Sequence, residues 1–358
     1  MRIVTVYTDS RAEFVPRDMA IIRWFRISEA LARLGHRVDV AAPGLPWLPR
    51  RGLKGVEGVG RVPVRSVRWD RYDVVKTLFH KGFRTLERYG GGEHPFVIAK
   101  LGSVVAAEDR PGIYFYGEAR EALYRTQARI HRTARYVTVL SEPAGALLEE
   151  AHGPRDGVLL VPGAAERDIP PPGPDPYPGR GPRAVFAGNF YAPTSLSQPE
   201  AHRTLTDKLN RVGRALRARG IRTFVVGPGE ATSLDPDAVT WLGSVPYRAS
   251  WDYLRHADAG LVVSAGPFQH NNESTKIYHY LRAGLPVVCE GGFPNDGVVR
   301  ESGLGFVVPS ERMDELAERV VQAVERSWDR EAAVRYVLRH HTWDRRAEVY
   351  ARVLDSGG

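Results

Sequence analysis

A segment rich in proline and glycine divides this chain of 358 residues into two stretches, and each stretch alternates short apolar strands with amphipathic helices. Such alternation favours an α/β fold, because parallel strands need long crossover connections that helices usually provide. The length suffices for two domains with their own cores. We therefore predict two Rossmann-like, doubly wound domains, residues 1–168 and 183–342, which face a central cleft and are joined by a semi-rigid linker, residues 169–182.

The composition is that of an ordinary globular protein, with 43% hydrophobic and 26% charged residues. Because Cys289 is the only cysteine, a disulfide framework and a cysteine-based metal site are excluded. The first residues, MRIVTVYTD, are typical of a strand and not of a signal peptide, and no apolar run approaches the ~18 residues of a spanning helix. We predict a cytoplasmic protein that uses no metal and no cofactor.

The segment from Asn271 to Gly292, NNESTKIYHYLRAGLPVVCEGG, predicts a loop, a short helix and a buried strand in that order. The helix should begin after Asn272 or Ser274. It should end at Gly284, because glycine favours the left-handed terminating conformation and Pro286 cannot continue a helix.

The first turn of this helix would carry Ser274, Thr275 and Lys276. A helix N-terminus presents free N–H groups and the positive end of the helix dipole, so this turn is a candidate site for an anion. His279 follows Lys276 by three residues and therefore shares its face. The alternative is a helix that only covers a sheet, with Lys276 solvated and His279 half-buried.

The residues ESTKIYHYLRAGLPVV resemble the donor-binding segment of glycosyltransferases with the GT-B fold, in which such a helix holds a nucleotide diphosphate-sugar. Members similar to family 4 carry a Glu-X7-Glu pair here, and Asn271 and His279 stand at those two positions. The segment is also similar to that of the membrane-associated glucuronosyltransferases of bacterial exopolysaccharide assembly. The resemblance implies a hexosyl- or glycuronosyltransferase with a UDP-sugar as donor and a glycan or lipid-linked sugar as acceptor.

The resemblance also implies which residues bind the donor. Ser274, Thr275 and Lys276 would bind the diphosphate, and His279 would approach the ribose or a phosphate. The further positions placed at the donor are Gly188, Asn189, Gly227, Gly243, Ser244, Pro246 and Glu273.

The resemblance covers nearly the whole chain and is strongest over residues 239–309. Within that range, Gly243, Ser244 and Pro246 would line the pocket for the base. Near the end of the chain, residues 343–358 begin with Trp-Asp like the terminal helix of the family, which implies a helix that packs back on the first domain.

The catalytic base is predicted from the position of carboxylates in the first domain. Retaining enzymes similar to family 4 tend to carry an Arg–Lys pair after the first strand of the second domain, in addition to the Glu-X7-Glu pair. Neither pair is present here, although Lys208 is a loose match to the lysine after Gly188. The resemblance therefore favours an inverting enzyme. An inverting enzyme needs a group that deprotonates the attacking hydroxyl. The candidates are Glu118, which follows a predicted strand, and Asp9, which follows the first strand; a glutamate such as Glu118 is more often a helix cap or a solvated residue.

The formal charge of +8 is unevenly distributed, because residues 50–88 hold 11 basic and 4 acidic side chains. A helix predicted within this span, Leu78 to Tyr89, places Lys81, Arg84 and Arg88 around an apolar side. These features predict reversible docking on an anionic membrane. A half-buried helix is the alternative, and no signature of a nucleic-acid-binding fold is present.

Two other classes of function remain open from the sequence. A nucleotide-sugar 2-epimerase of the same fold would use the same helix. A non-enzymatic protein that binds anions or nucleic acid would account for the charge but not for the segment from Lys276 to Val288. Release of nucleoside diphosphate distinguishes a transferase from both.

Overall fold

The computed structural model describes residues 1–7, 16, 19–43, 50–90, 94, 96–107, 118–193 and 200–355. The chain forms two compact units. Unit 1 contains Met1–Gly163 and Trp343–Gly358, and unit 2 contains Ala164–Thr342. Each unit is built on a largely parallel sheet, so the predicted α/β fold with two such domains is confirmed.

The sheet of unit 1 has eight strands in the order β3-β4-β2-β1-β5-β6-β7-β8. The strands are β1 Arg2–Val6, β2 Arg37–Ala42, β3 Arg51–Gly52, β4 Val59–Pro63, β5 Val74–Leu78, β6 Val97–Lys100, β7 Tyr136–Val139 and β8 Val158–Leu160. Only the short β3 pairs antiparallel. The central strands β1, β5 and β6 are buried almost throughout, as expected for a sheet that is covered on both faces.

Five helices of unit 1 are described, and they are α1 Met19–Arg33, α2 Phe79–Tyr89, α3 Glu118–Thr133, α4 Glu142–His152 and α11 Trp343–Asp355. The terminal helix α11 packs against α1, where Arg33 Nη2 lies 2.6 Å from Asp344 Oδ1. Tyr350 and Leu354 of α11 are buried in unit 1. None of the described helices is long and apolar enough to cross a bilayer.

The sheet of unit 2 has six parallel strands in the order β11-β10-β9-β12-β13-β14. The strands are β9 Arg183–Ala187, β10 Arg222–Val226, β11 Val239–Trp241, β12 Ala259–Val262, β13 Val287–Glu290 and β14 Gly305–Val308. The helices are α5 Ala201–Arg217, α6 Tyr247–Arg255, α7 Thr275–Arg282, α8 Gly297–Ser302, α9 Leu316–Glu325 and α10 Arg330–His340.

Each sheet has one point at which the order of strands reverses. In unit 1 the chain adds β2 and β4 on one side of β1 and then β5 on the other side. In unit 2 it adds β10 and β11 on one side of β9 and then β12 on the other. Helices that leave such a point diverge to opposite faces of the sheet, and the gap at the carboxyl ends of the strands is the usual ligand site of open α/β folds.

The segment 169–182 differs from the linker that its prolines and glycines predict, because it packs on unit 2. Tyr177 lies in the core of unit 2, and its hydroxyl donates to the Tyr253 carbonyl at 2.8 Å. The Gly173 N–H donates to Asp252 Oδ1 at 2.8 Å. The Tyr177 side chain and these hydrogen bonds hold the segment to unit 2. Composition alone does not predict this packing.

The charge count places Lys76 in the basic surface of residues 50–88, but the structure buries it. It lies in the middle of β5 with 1% of its surface exposed, and its Nζ has no hydrogen-bond partner among the described residues. The ammonium faces the Tyr350 ring of α11, 5.1 Å from its centroid. Burial lowers the pKa of Lys76 to about 7, because the interior disfavours its charged form.

The apolar side of α2 is also buried, as the half-buried alternative predicted. Phe83 and Leu86 belong to the core of unit 1, while Lys81, Arg84 and Arg88 remain exposed. A helix in this position cannot insert its apolar side into a membrane without leaving the core of its own domain.

We expect the stability of the protein to increase with pH above about 7 because of Lys76. The unfolded chain keeps this lysine protonated up to about pH 10.5, whereas folded Lys76 loses its proton above about pH 7. Between these values unfolding takes up a proton, so the free energy of unfolding rises with pH. Below about pH 7 both states carry the charge, and the cost of burying it is greatest.

Lys76→Met removes this buried charge while keeping the length of the side chain. At about pH 6 it should raise the free energy of unfolding by up to about 5 kcal/mol, since the pKa shift from 10.5 to about 7 corresponds to roughly 1.36 kcal/mol per pKa unit, and the gain should shrink toward pH 10. Urea unfolding at several pH values measures this. Lys54→Met, at an exposed position of the same unit, is the control. A gain that does not depend on pH would contradict the assignment.

Candidate functional site

Three glycine turns lie side by side at the carboxyl edge of the sheet in unit 2. Gly188 follows β9, Gly227 follows β10, and Gly243 comes shortly after β11. The Gly227 N–H donates to the Gly243 carbonyl at 2.9 Å. Gly227 has φ of 138°, and a Cβ there would lie 2.3 Å from the Gly188 carbonyl oxygen. Only glycine fits at this position, and the strand ends are left with bare backbone.

The first turn of α7 is anchored by its backbone and not by a side-chain cap. The N–H of Ser274, the N-cap residue, donates to Asn295 Oδ1 at 2.8 Å, and Asn295 Nδ2 donates to the Ser274 carbonyl at 2.9 Å. The Ser274 hydroxyl does not cap the helix, and its oxygen is buried without a hydrogen-bond partner among the described residues. The turn therefore offers a buried hydroxyl beside helix N–H groups that this serine does not cap.

Tyr280 holds α7 at the point where the order of strands reverses. Its hydroxyl accepts from the Ala187 N–H at 2.7 Å and donates to the Leu261 carbonyl at 3.3 Å, which joins β9 to β12. Its ring occupies the space over Gly260, where a Cβ would lie 2.4 Å from a ring carbon. Burial raises the pKa of Tyr280, so the phenol stays protonated and the bridge persists.

Lys276 is brought by this arrangement to the end of β9. A Cβ at Gly188 would lie 2.5 Å from Lys276 Cε and 3.2 Å from its Nζ. The ammonium lies 4.8 Å from the centroid of the Phe186 ring and has no ion-pair partner among the described residues. Burial lowers the pKa of Lys276 to about 8, although the residue keeps some exposed surface. Because Lys276 is partly desolvated and no carboxylate among the described residues neutralises it, it is suited to bind an anion.

Among the remaining predicted donor residues, His279 lies on α7 and Ser244 lies in the loop that follows β11. His279 packs its ring against Tyr247 and Trp251 of α6, at centroid distances of 6.2 and 5.4 Å. Tyr247 directly follows Pro246, so His279 lies beside the loop that follows β11. Ser244 of that loop is exposed.

Three further predicted positions have local roles in the structure. Thr275 is the first residue of α7. Glu273 accepts a hydrogen bond from the Tyr278 hydroxyl at 3.1 Å. Asn189 is exposed, and its Oδ1 accepts from the Tyr191 N–H at 2.8 Å, which stabilises the turn after Gly188.

Both predicted base candidates belong to unit 1, and the structure does not describe their side chains. Glu118 begins α3 of unit 1, and its side chain lies outside the described residues, as does the whole of Asp9. Within the described part of the chain, no group of three or more His, Cys, Asp or Glu is arranged to hold a metal ion.

The sequence reasoning did not find an ion pair at the end of β13. Glu290 is buried, and its carboxylate lies 2.8 and 2.9 Å from Lys208 Nζ of α5. The carboxylate also accepts from the Ser264 N–H at 2.7 Å, and Lys208 donates to the Ser264 carbonyl at 2.9 Å. Glu290 directly follows the apolar run that predicts β13. A carboxylate at the end of a buried parallel strand is the feature of the sequence that indicates a buried ion pair.

Lys208→Met should destabilise unit 2, because it leaves the Glu290 carboxylate buried without its cation. Removing one partner of a buried pair costs roughly 3–5 kcal/mol, and we expect about 3 kcal/mol, since Lys208 keeps some exposure. The double variant Lys208→Met/Glu290→Gln should recover part of this loss. Chemical unfolding of the three proteins measures it, and a single variant as stable as the parent would show that the pair is not structural.

Comparison with known proteins identifies related domains and folds. Residues 213–333 match the family model described as "Glucosyltransferase 3-like, C-terminal domain", which covers the greater part of unit 2. No curated protein sequence matches the chain at a significant level.

Solved structures of glycosyltransferases match the chain over almost its full length. Sucrose-phosphate synthase from Thermosynechococcus elongatus superposes with a TM-score of 0.68 at 14% identity, covering 99% of this chain and 100% of that one. HepE from Anabaena, solved in complex with UDP, has a TM-score of 0.64 at 13% identity over 99% and 100% of the two chains. WaaG, of lipopolysaccharide biosynthesis, has a TM-score of 0.57 at 14% identity over the whole of both chains. The chain thus has the GT-B fold of glycosyltransferases, as the sequence predicted, and its second unit resembles a glucosyltransferase domain.

Proposed function

We propose that the protein is a glycosyltransferase that moves a sugar from a nucleotide diphosphate-sugar to a glycan or a lipid-linked sugar. The observation that carries this proposal is the position of Lys276, whose ammonium lies over the Gly188 turn beside the first turn of α7. A lysine, a helix N-terminus and bare strand ends together form a site for a diphosphate. HepE has been solved with UDP-glucose, which supports UDP as the nucleotide to test first.

The donor would be held by unit 2. Lys276, the N–H groups of α7 and the hydroxyls of Ser274 and Thr275 would bind the two phosphates. His279 would approach the ribose or a phosphate from its position beside α6. Gly243, Ser244 and Pro246 would line the pocket for the base, where the open backbone after β11 leaves room for a flat ring.

In the proposed reaction a hydroxyl of the acceptor attacks the anomeric carbon, and the bond from that carbon to the diphosphate oxygen breaks. The nucleoside diphosphate leaves with the electron pair of that bond, and the acceptor loses its proton to a base. Lys276 and the dipole of α7 would stabilise the charge that develops on the leaving group. We propose for this reason a reaction that is independent of metal. We propose that it is inverting, because the Glu-X7-Glu and Arg–Lys pairs are absent, with Glu118 as base and Asp9 as the second candidate.

The sequence predicts a cytoplasmic location and docking on an anionic membrane. A cytoplasmic location remains a prediction from the sequence. The helix α2 is not proposed as a membrane anchor, because Phe83 and Leu86 on its apolar side are buried in unit 1.

Lys276→Ala should weaken binding of UDP by about tenfold to a hundredfold, because a charge-assisted contact contributes roughly 1.5–3 kcal/mol. The lysine is charged below about pH 8, so the affinity of the parent should fall as the pH rises above that value. The buried Cys289 thiol, whose pKa is raised, stays neutral over this range. Calorimetry with UDP at several pH values measures both effects.

Arg203→Ala removes an exposed cation of unit 2 and is the control for the Lys276 experiment. It should leave UDP affinity unchanged. If Lys276→Ala binds UDP as tightly as the parent, the donor site lies elsewhere.

Glu118→Gln should lower sugar transfer by about a hundredfold to ten-thousandfold, the usual contribution of a general base, while UDP binding is retained. Glu121→Gln, an exposed position on the same helix, is the matched control. Product formation from a UDP-sugar, followed by NMR, separates transfer from isomerisation of the sugar. Normal turnover by Glu118→Gln would exclude this base and leave Asp9→Asn as the next variant.

A further inference from the structure

A cavity of about 460 Å³ lies in unit 1 at the point where its strand order reverses. Tyr7 follows the end of β1, Pro43 follows the end of β2, and Arg65 lies in the short turn after β4. Most of the remaining lining comes from α2, which follows β5 directly. The cavity is thus formed at the carboxyl ends of parallel strands on both sides of the reversal, which is the usual ligand position in this class of sheet.

One face of α2 supplies most of the charge of the cavity. Lys81, Arg84, Thr85 and Arg88 recur at spacings of three and four residues, so they share one face of the helix. Arg65, from the turn after β4, also lines the cavity. No aspartate or glutamate stands among the described residues that line the cavity.

The charges of these cations are not compensated within the described part of unit 1. Arg65, Lys81 and Arg88 form no ion pair there. Arg84 is held by neutral groups, since its Nε donates to Thr126 Oγ1 at 3.0 Å and its Nη2 donates to the Ala122 carbonyl at 2.8 Å. Its position is therefore fixed while its charge remains free to act.

Other arginines of the same unit form ion pairs with carboxylates, whereas the cations of the cavity do not among the described residues. Arg33 pairs with Asp344, and Arg129 of α3 pairs with Glu87 at 2.7 Å. Glu87 is the acidic residue within α2, and its carboxylate is directed to Arg129 of α3. Four cations that converge without a counter-ion repel one another, and an anion with several charges relieves that repulsion.

The size and the aromatic lining indicate more than a single small ion. The volume exceeds that of an inorganic phosphate several times over, on the scale of the usual pockets for small ligands. The rings of Tyr7 and Tyr89 line the cavity with the cations, and the Arg88 guanidinium lies 5.2 Å from the Tyr89 ring. Tyrosine offers both a flat apolar surface and a hydroxyl, which suits a sugar ring next to a charged group.

We propose that this cavity binds the phosphate or diphosphate group of a phosphorylated acceptor. The proposal rests on the proposed transferase function, and it names the class of acceptor. Lys81, Arg84, Arg88 and Arg65 bind the phosphate oxygens, and the tyrosines border the sugar that the phosphate carries. The same group can come from a soluble sugar phosphate or from a lipid-linked one.

The test is calorimetric titration of inorganic pyrophosphate into protein that is already saturated with UDP, so that the nucleotide site cannot contribute. The parent should bind one further pyrophosphate. Lys81→Gln/Arg88→Gln should lower the affinity about tenfold or more. Arg68→Gln/Arg71→Gln, which removes two exposed charges from the same basic span outside the cavity, should change it less than about twofold. Thermal unfolding verifies that both variants fold.

Equal pyrophosphate affinity in the parent and the cavity variant would overturn the proposal, as would an equal loss in the control variant, which would indicate diffuse attraction only. These outcomes leave the proposed donor function intact, because UDP binding and its dependence on Lys276 are measured separately. Failure of UDP binding with retained pyrophosphate binding would contradict the donor site and not the cavity.

Sedimentation with phosphatidylcholine vesicles, with and without phosphatidic acid, then distinguishes the two sources of phosphate. Binding that needs phosphatidic acid and is lost in Lys81→Gln/Arg88→Gln supports a lipid-linked acceptor. Absence of vesicle binding together with the pyrophosphate result supports a soluble sugar phosphate. Vesicle binding that depends on these residues without any pyrophosphate binding would replace the cavity proposal with a membrane-facing surface.

Discussion

The close approach of α7 to the end of β9 is the constraint on which the candidate donor site depends. Tyr280 enforces it, since its hydroxyl joins Ala187 of β9 to Leu261 of β12. Lys276 lies one turn earlier on the same helix and is thereby carried over Gly188. The glycine turns keep the strand ends free of side chains, so a ligand can reach the backbone and the ammonium together.

Burial and partners give three lysines of the described structure different chemical roles. Lys208 is neutralised by Glu290 and ties α5 to β13. Lys276 is partly desolvated without a carboxylate, so its charge is available to a ligand. Lys76 is buried, and its Nζ has no hydrogen-bond partner among the described residues, so its charge is a cost to folding. The three lysines are identical in the composition, and their different roles follow only from their burial and their partners.

Local patterns predicted the elements around the donor site well. The helix expected from Ser274 to Ala283 is observed at Thr275–Arg282, with Gly284 in the left-handed region at φ of 71°. Helical spacing, a glycine and a following proline act over a few residues and can be read without the fold. Counting charges over residues 50–88 predicts a basic surface, but it cannot show that β5 buries Lys76 in the sheet.

The sequence by itself determined the alternation of strands and helices and the ends of α7, since these depend on residues close together in the chain. Only the tertiary structure decided which strands and helices lie next to one another. Tyr280 and Ala187 are 93 residues apart, and Lys208 and Glu290 are 82 apart. The same alternation of strands and helices is compatible with several strand orders, and packing between distant segments selects the one that forms both the candidate donor site and the basic cavity.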